Sequence, residues 1–117
     1  MAATDWRCQQ NVPDAHNAHP PLCDCVQAAA VASGVQERVE IPSGATHVVM
    51  ASSSIDFAVK AGGTGIAAAW PTDTSDGSAA ELNPAGLRKI PAGASHISAI
   101  ANAAGVVTFA FFALKNP

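Results

Sequence analysis

The chain has 117 residues, enough for one domain and no more, and its six Lys/Arg against nine Asp/Glu give a net charge of −3. Scattered cations offer no stripe to neutralise phosphates, and no apolar run approaches the roughly 20 residues that cross a bilayer, so nucleic acid and membrane are excluded as expected partners. Charged residues make up only 13%, about half the usual share, and 49% of the chain is apolar, much of it alanine. Such a surface is easiest to understand if other subunits cover part of it.

Residues 1–24 differ from the rest. Asn11, Pro13, Asp14, Asn17, Pro20 and Pro21 form turns and extended chain, and no apolar period runs through them. They read as an extended N-terminal arm before a 25–117 domain. With Asp5 and Arg7 near the start and no apolar core behind them, they do not read as a signal peptide, so synthesis in a cytoplasm is expected. Cys8, Cys23 and Cys25 fall in this quarter with His16 and His19. An odd cysteine count argues against a disulfide framework, and the Cys-Asp-Cys spacing is wrong for a zinc knuckle, so free thiols are expected and no metal or cofactor.

From there the chain reads as short strands broken by turns. Val26–Ser33 reads as a strand or a short helix, alanine favouring helix and the context favouring strand, and Gly34 breaks it. Val35–Ile41 partly alternates, with Val35, Val39 and Ile41 on one face, and stops at Pro42. His47–Ala51 places Val48 and Met50 together. Ile55, Phe57 and Val59 face one way in the cleanest alternation of the chain, opposite Asp56, Ala58 and Lys60. Gly62–Gly65 is a turn; it lacks the Lys-Ser/Thr of a phosphate loop. Ile66–Trp70 is expected as a further strand, and 72–86 as a loop. Leu87–Ile90, His96–Ala101 and Val106–Leu114 complete the set. The last is apolar on both faces, as befits a central strand or one under a partner.

One phrase is written twice. Ile41-Pro42-Ser43-Gly44-Ala45-Thr46-His47-Val48 returns as Ile90-Pro91-Ala92-Gly93-Ala94-Ser95-His96-Ile97, with five of eight positions identical and the other three conservative. A supersecondary unit used twice is implied. Repeated turn signals without an amphipathic helix then indicate an all-β, antiparallel β-sandwich of jelly-roll or Greek-key type, built from two similar halves.

Candidate chemistry is thin. His47 and His96 are equivalent in the repeat, which duplication alone explains, and Ser52, Ser53, Ser54 and Asp56 lack a nucleophile elbow. Asp73, Asp76 and Glu81 lack the spacing of a calcium hand. Trp70-Pro71 could stack on a sugar, but reads more simply as core or subunit contact. No enzyme is expected. The residues singled out for interaction are Trp6, Pro20, Pro21, Trp70, Phe112 and Leu114.

About two-thirds of the chain resembles small structural proteins of tailed bacteriophage particles. The resemblance lies in the first copy of the repeat, Ile55-Asp56-Phe57-Ala58-Val59, Asp76-Gly77-Ser78, Glu81-Leu82-Asn83-Pro84, His96-Ile97-Ser98 and Val106-Val107-Thr108-Phe109-Ala110-Phe111-Phe112. It implies a virion component, a capsid decoration (cement) protein or a head–tail accessory protein, working through surfaces. The expected partners are the major capsid protein or other virion proteins and further copies of the chain, as a trimer or dimer. A neck, tail or fibre position is the alternative, and a cytoplasmic small-ligand-binding sandwich the more distant one.

Overall fold

A computed structural model describes residue 22 and residues 25–114. Among these there is no helix. Eight strands, β1 (Val26–Val31), β2 (Glu37–Glu40), β3 (His47–Ser52), β4 (Phe57–Gly62), β5 (Glu81–Leu82), β6 (Leu87–Lys89), β7 (His96–Ala101) and β8 (Gly105–Phe112), form two antiparallel four-stranded sheets. Sheet I has the order β1-β8-β3-β6 and sheet II the order β2-β7-β4-β5. Every connection but β4–β5 therefore crosses from one sheet to the other.

The core lies between the sheets. Val48, Met50, Val107, Phe109 and Phe111 of sheet I meet Val39, Phe57, Val59, Ile97 and Ala99 of sheet II, all nearly or completely buried. Alternation in β3, β4 and β8 supplies these faces directly, since successive side chains point to opposite sides of a sheet. Phe109 and Phe111 are wholly buried, with ring centroids 6.4 Å apart.

The two copies of the repeat make the same corner in opposite directions. The first carries the chain from β2 in sheet II to β3 in sheet I, the second from β6 in sheet I to β7 in sheet II. Gly44 and Gly93 adopt φ of 89° and 84°, and Ala45 N and Ala94 N donate back to Pro42 O and Pro91 O at 3.1 and 3.2 Å. This left-handed residue is why each copy has glycine there. The corners also clasp each other. Ile41 N donates to Ser95 O (2.9 Å), and Ile90 N, its counterpart, donates to Thr46 O (2.8 Å). Thr46 N likewise bonds Phe112 O at the end of β8, and Ser95 N bonds Gly62 O at the end of β4. Shifting every strand number by four converts the order of sheet I into that of sheet II read backwards.

Three expectations are corrected. Ile66–Trp70 is not a strand: it runs outside sheet II as a cover, with Ala68 packed on Ala58, Ala80 and Ile100. Its alanines present no β-branched surface, and Pro71 ends it before a ladder could form. The 72–86 loop contains the short strand β5. Val35 does not join a strand with Val39; it is 53% exposed and lies ahead of β2.

The Asn83-Pro84 pair acquires a local role. Asn83 sits at φ 47°; its N–H donates to Phe57 O (2.7 Å), its Oδ1 accepts from Phe57 N (2.9 Å) and its Nδ2 donates to Asp56 (3.1 Å). One side chain thus starts β4 and anchors the turn after β5. Asn83→Ala loses two hydrogen bonds and puts a Cβ residue without a compensating polar group in the left-handed region, so a loss of about 1–2 kcal/mol is expected in urea unfolding.

Candidate interaction surface

The outer faces of the two sheets differ, and that difference defines the candidate surface. On sheet II, Ala58, Ser98 and Ile100 point outward yet are 0–6% exposed, because the Ile66–Trp70 segment lies over them. Ser98 holds that cover: its Oγ accepts from Ala68 N (2.8 Å) and donates to Gln36 Oε1 (2.6 Å). The Arg38 guanidinium adds a bond to Ile66 O at 3.0 Å.

Sheet I has no such cover among the described residues. The register sets Val26, Ala110, Val49 and Leu87 in one row across its outer face. Ala28, Thr108 and Ala51 form the next row, with Ala30 and Val106 beyond. Val26, Val106 and Leu87 are 52%, 48% and 36% exposed. Among the described residues the only charged side chain on this face is Lys89, beside His47 at one corner. Four strands about 4.8 Å apart, rising about 3.4 Å per residue, make a face on the order of 350 Å2. An apolar patch of that size on a small domain is of the scale that marks interaction sites.

His47 and His96 do not form a joint site. The register points His47 outward from sheet I and His96 outward from sheet II, so they face opposite sides. Each ring Nδ1 instead meets the preceding hydroxyl at 2.8 Å, Thr46 Oγ1 or Ser95 Oγ. Thr46 Oγ1 also bonds Phe112 O (3.3 Å) and receives Leu114 N (2.9 Å), pinning the end of β8. Burial, and after it the positive charge of Lys89, hold the His47 imidazole below its ordinary pKa. A folded state that binds a proton more weakly than the unfolded chain is fully stable above the unfolded value of about 6.5 and loses stability as pH falls through it. The melting temperature should therefore drop between about pH 7 and about pH 5, with a shallower drop in His47→Gln.

The acidic loop residues are engaged locally. Asp76 accepts from the Ser78 hydroxyl and amide, which lower its pKa, the hydroxyl having the larger influence. Glu81 pairs with Arg88, and the guanidinium's hydrogen bonds hold the carboxyl below its usual range. No group of three or more His, Cys, Asp or Glu among the described residues is placed to hold a metal ion. Cys8, His16, His19 and Cys23 lie outside the described residues; Cys25 is half-buried against the core.

Of the residues singled out for interaction, Trp6, Pro20 and Pro21 lie outside the described residues. Trp70 is half-buried on the sheet II side, packed against Ala58, Ala68, Ala80 and Ile100. Phe112 is 5% exposed, so this chain buries the ring itself instead of presenting it. Leu114 is half-exposed just past β8. Trp70 thus stands apart from Phe112 and Leu114. The outward row-forming residues Val26, Ala28, Ala30, Thr108 and Ala110 are the ones that sequence reasoning missed. An alanine-rich strand such as β1 gives no contrast between its faces, so only the register reveals them.

A scan against protein-family models finds none that matches, and searches of curated proteins and of solved structures likewise find no match.

Proposed function

We propose that this chain is a non-enzymatic structural protein of a virus particle, a capsid decoration (cement) protein that binds the assembled shell and stabilises it. The observation that carries the reading is the nearly uncharged outer face of sheet I, which none of the described residues covers, beside a sheet II whose outer face the Ile66–Trp70 segment covers. A monomer has no reason to cover one sheet with its own chain and leave an apolar face of similar size on the other. A shell subunit seated on that face supplies the missing layer. Binding the assembled shell and not its parts stabilises assembly by mass action, and many copies add their effects. Two antiparallel four-stranded sheets joined almost entirely by crossings from one to the other support a jelly-roll reading, an architecture shared by viral capsid domains and by lectins and cupins, so the fold is compatible with the class without selecting it.

Two measurements test the proposal. Quantitative mass spectrometry of purified particles should find hundreds of copies; a dozen or fewer would move the chain to the neck, tail or fibre, and none would overturn a virion role. Val106→Glu, at an already exposed position, should weaken binding to particles at least tenfold, equivalent to about 1.4 kcal/mol, while leaving the melting temperature nearly unchanged. Unaltered particle binding would remove sheet I from the interface.

A further inference from the structure

Two sheets have four edges, and three of them are guarded. β5 is two residues long and β6 three, and their inward-facing Glu81 and Arg88 pair across the gap between the sheets, the guanidinium Nη2 donating to Glu81 Oε1 at 3.0 Å. β2 carries Glu37, Arg38 and Glu40 among its four residues, and the carbonyl of Glu40 accepts from Gln27 Nε2 at 3.3 Å. Short strands, edge charges and inward-pointing charges all keep a sheet from adding a further strand. β1 has none of these devices. Its six residues, Val26-Gln27-Ala28-Ala29-Ala30-Val31, hold an unbroken register with β8 and include no charge and no proline.

The free side of β1 presents backbone groups. Phe111 N donates to Cys25 O at 3.1 Å, which makes Cys25 and Phe111 a hydrogen-bonded pair and fixes the alternation along the ladder. Gln27, Ala29 and Val31 therefore turn their N–H and C=O toward β8, while Val26, Ala28 and Ala30 turn theirs away from it. No strand of the described residues lies on that side of β1 to take them. The side chains of the same three residues stand exposed in the rows of the outer face.

We propose that this edge pairs with β1 of a second copy, antiparallel about a two-fold axis through Ala28. In that register Ala28 faces its own counterpart and each Val26 faces an Ala30, so the outward-turned residues of both strands exchange about six N–H···O bonds. The strand complements itself. A symmetric interface must be one patch fitted to its own copy, and alanine at the axis with no charge on either strand leaves nothing to repel. The outer face favours a second copy over an isolated peptide strand. One face of sheet I is about 350 Å2, below the about 800 Å2 that each partner contributes to a standard stable interface, and two faces joined edge to edge reach about 700 Å2. A lone strand adds only one more row of side chains. This last step rests on the shell-binding reading; the self-pairing of β1 does not.

The test is the mass of the full chain in solution, by light scattering or sedimentation at about 100 μM, where a dimer with a Kd of about 10 μM is mostly formed. A dimer is expected. Ala28→Pro removes one outward N–H and no bond to β8, so it should give a monomer with an unchanged circular dichroism spectrum. Ala28→Lys and Ala28→Asp should each weaken dimerisation at least tenfold, through like charges set opposite each other, and an equal mixture of the two should recover a heterodimer. A mixture that stays monomeric overturns the two-fold register. A monomeric parent chain overturns the proposal, and protection of its Ala28 amide from exchange would then assign the edge to a cover from the same chain. So does a dimer that survives Ala28→Pro, including one abolished by Val106→Glu, which would place the contact on the outer face of sheet I. No particles enter these measurements, so their failure is separate from failure of the virion reading.

Discussion

Phe109→Ala should cost about 3–5 kcal/mol, a large share of a total stability on the order of 5–15 kcal/mol. Phe109 is wholly buried at the middle of β8, registered between Gln27 of β1 and Met50 of β3 and close to the Phe111 ring. Few alternatives can fill the void. The core facing it, Val39, Phe57, Val59, Ile97 and Ala99, is buried and close-packed, so it relaxes only in part into a benzyl-sized space. Urea unfolding monitored by far-UV circular dichroism gives the number. A loss below about 1.5 kcal/mol would mean that the sheets collapse onto the site, and that the packing is looser than burial indicates. Phe109→Leu should recover more than half of the loss, since it retains most of the volume.

Ser98→Ala should cost about 1–3 kcal/mol despite removing a single oxygen. The hydroxyl is wholly buried and works in both directions, accepting from Ala68 N and donating to Gln36 Oε1. Alanine leaves a buried amide without its acceptor, and a buried donor without a partner costs more than an average hydrogen bond is worth. The effect should be local. Amide exchange at Ala68 should accelerate by at least tenfold, while amides of β8 in the other sheet change only with global stability. Equal acceleration throughout would show that the cover segment and the sandwich open as one unit. Loosening the cover would also expose Ala58 and Ile100 and give sheet II an apolar outer face like that of sheet I.

Much of the architecture was legible before the structure. Alternation in Phe57–Val59 set the inward residues apart, because a strand with one buried face must alternate, whereas β8, apolar on both faces, left its inward face to the register. The repeat identified two equivalent corners, since Pro and Gly at fixed offsets encode a turn locally. The cover segment was not legible. Ile66–Trp70 is as apolar as a strand, and whether such a run pairs in a ladder or lies across one is decided by where its neighbours leave room. The burial of Phe112 was not legible for a related reason: an outward position on a strand is exposed only where nothing packs over it, and Phe112 is 5% exposed.

The candidate surface was less legible still. Low charge predicted that something apolar would be left over, yet could not say where. Ala28 and Ala30 look no different from Ala29, and polar Gln27 points the wrong way, until β1 pairs with β8 and the register sets Gln27 opposite inward Phe109. Local periodicity and turn chemistry were enough to place most of the strands, the twin corners and the inward face of β3 and β4, but not β5 or the cover segment. Only the three-dimensional arrangement put Ile66–Trp70 over sheet II, left the outer face of sheet I without a cover among the described residues, and brought Arg88 to Glu81. Those outcomes depend on strand order and on contacts between residues far apart in the chain, which no local pattern encodes.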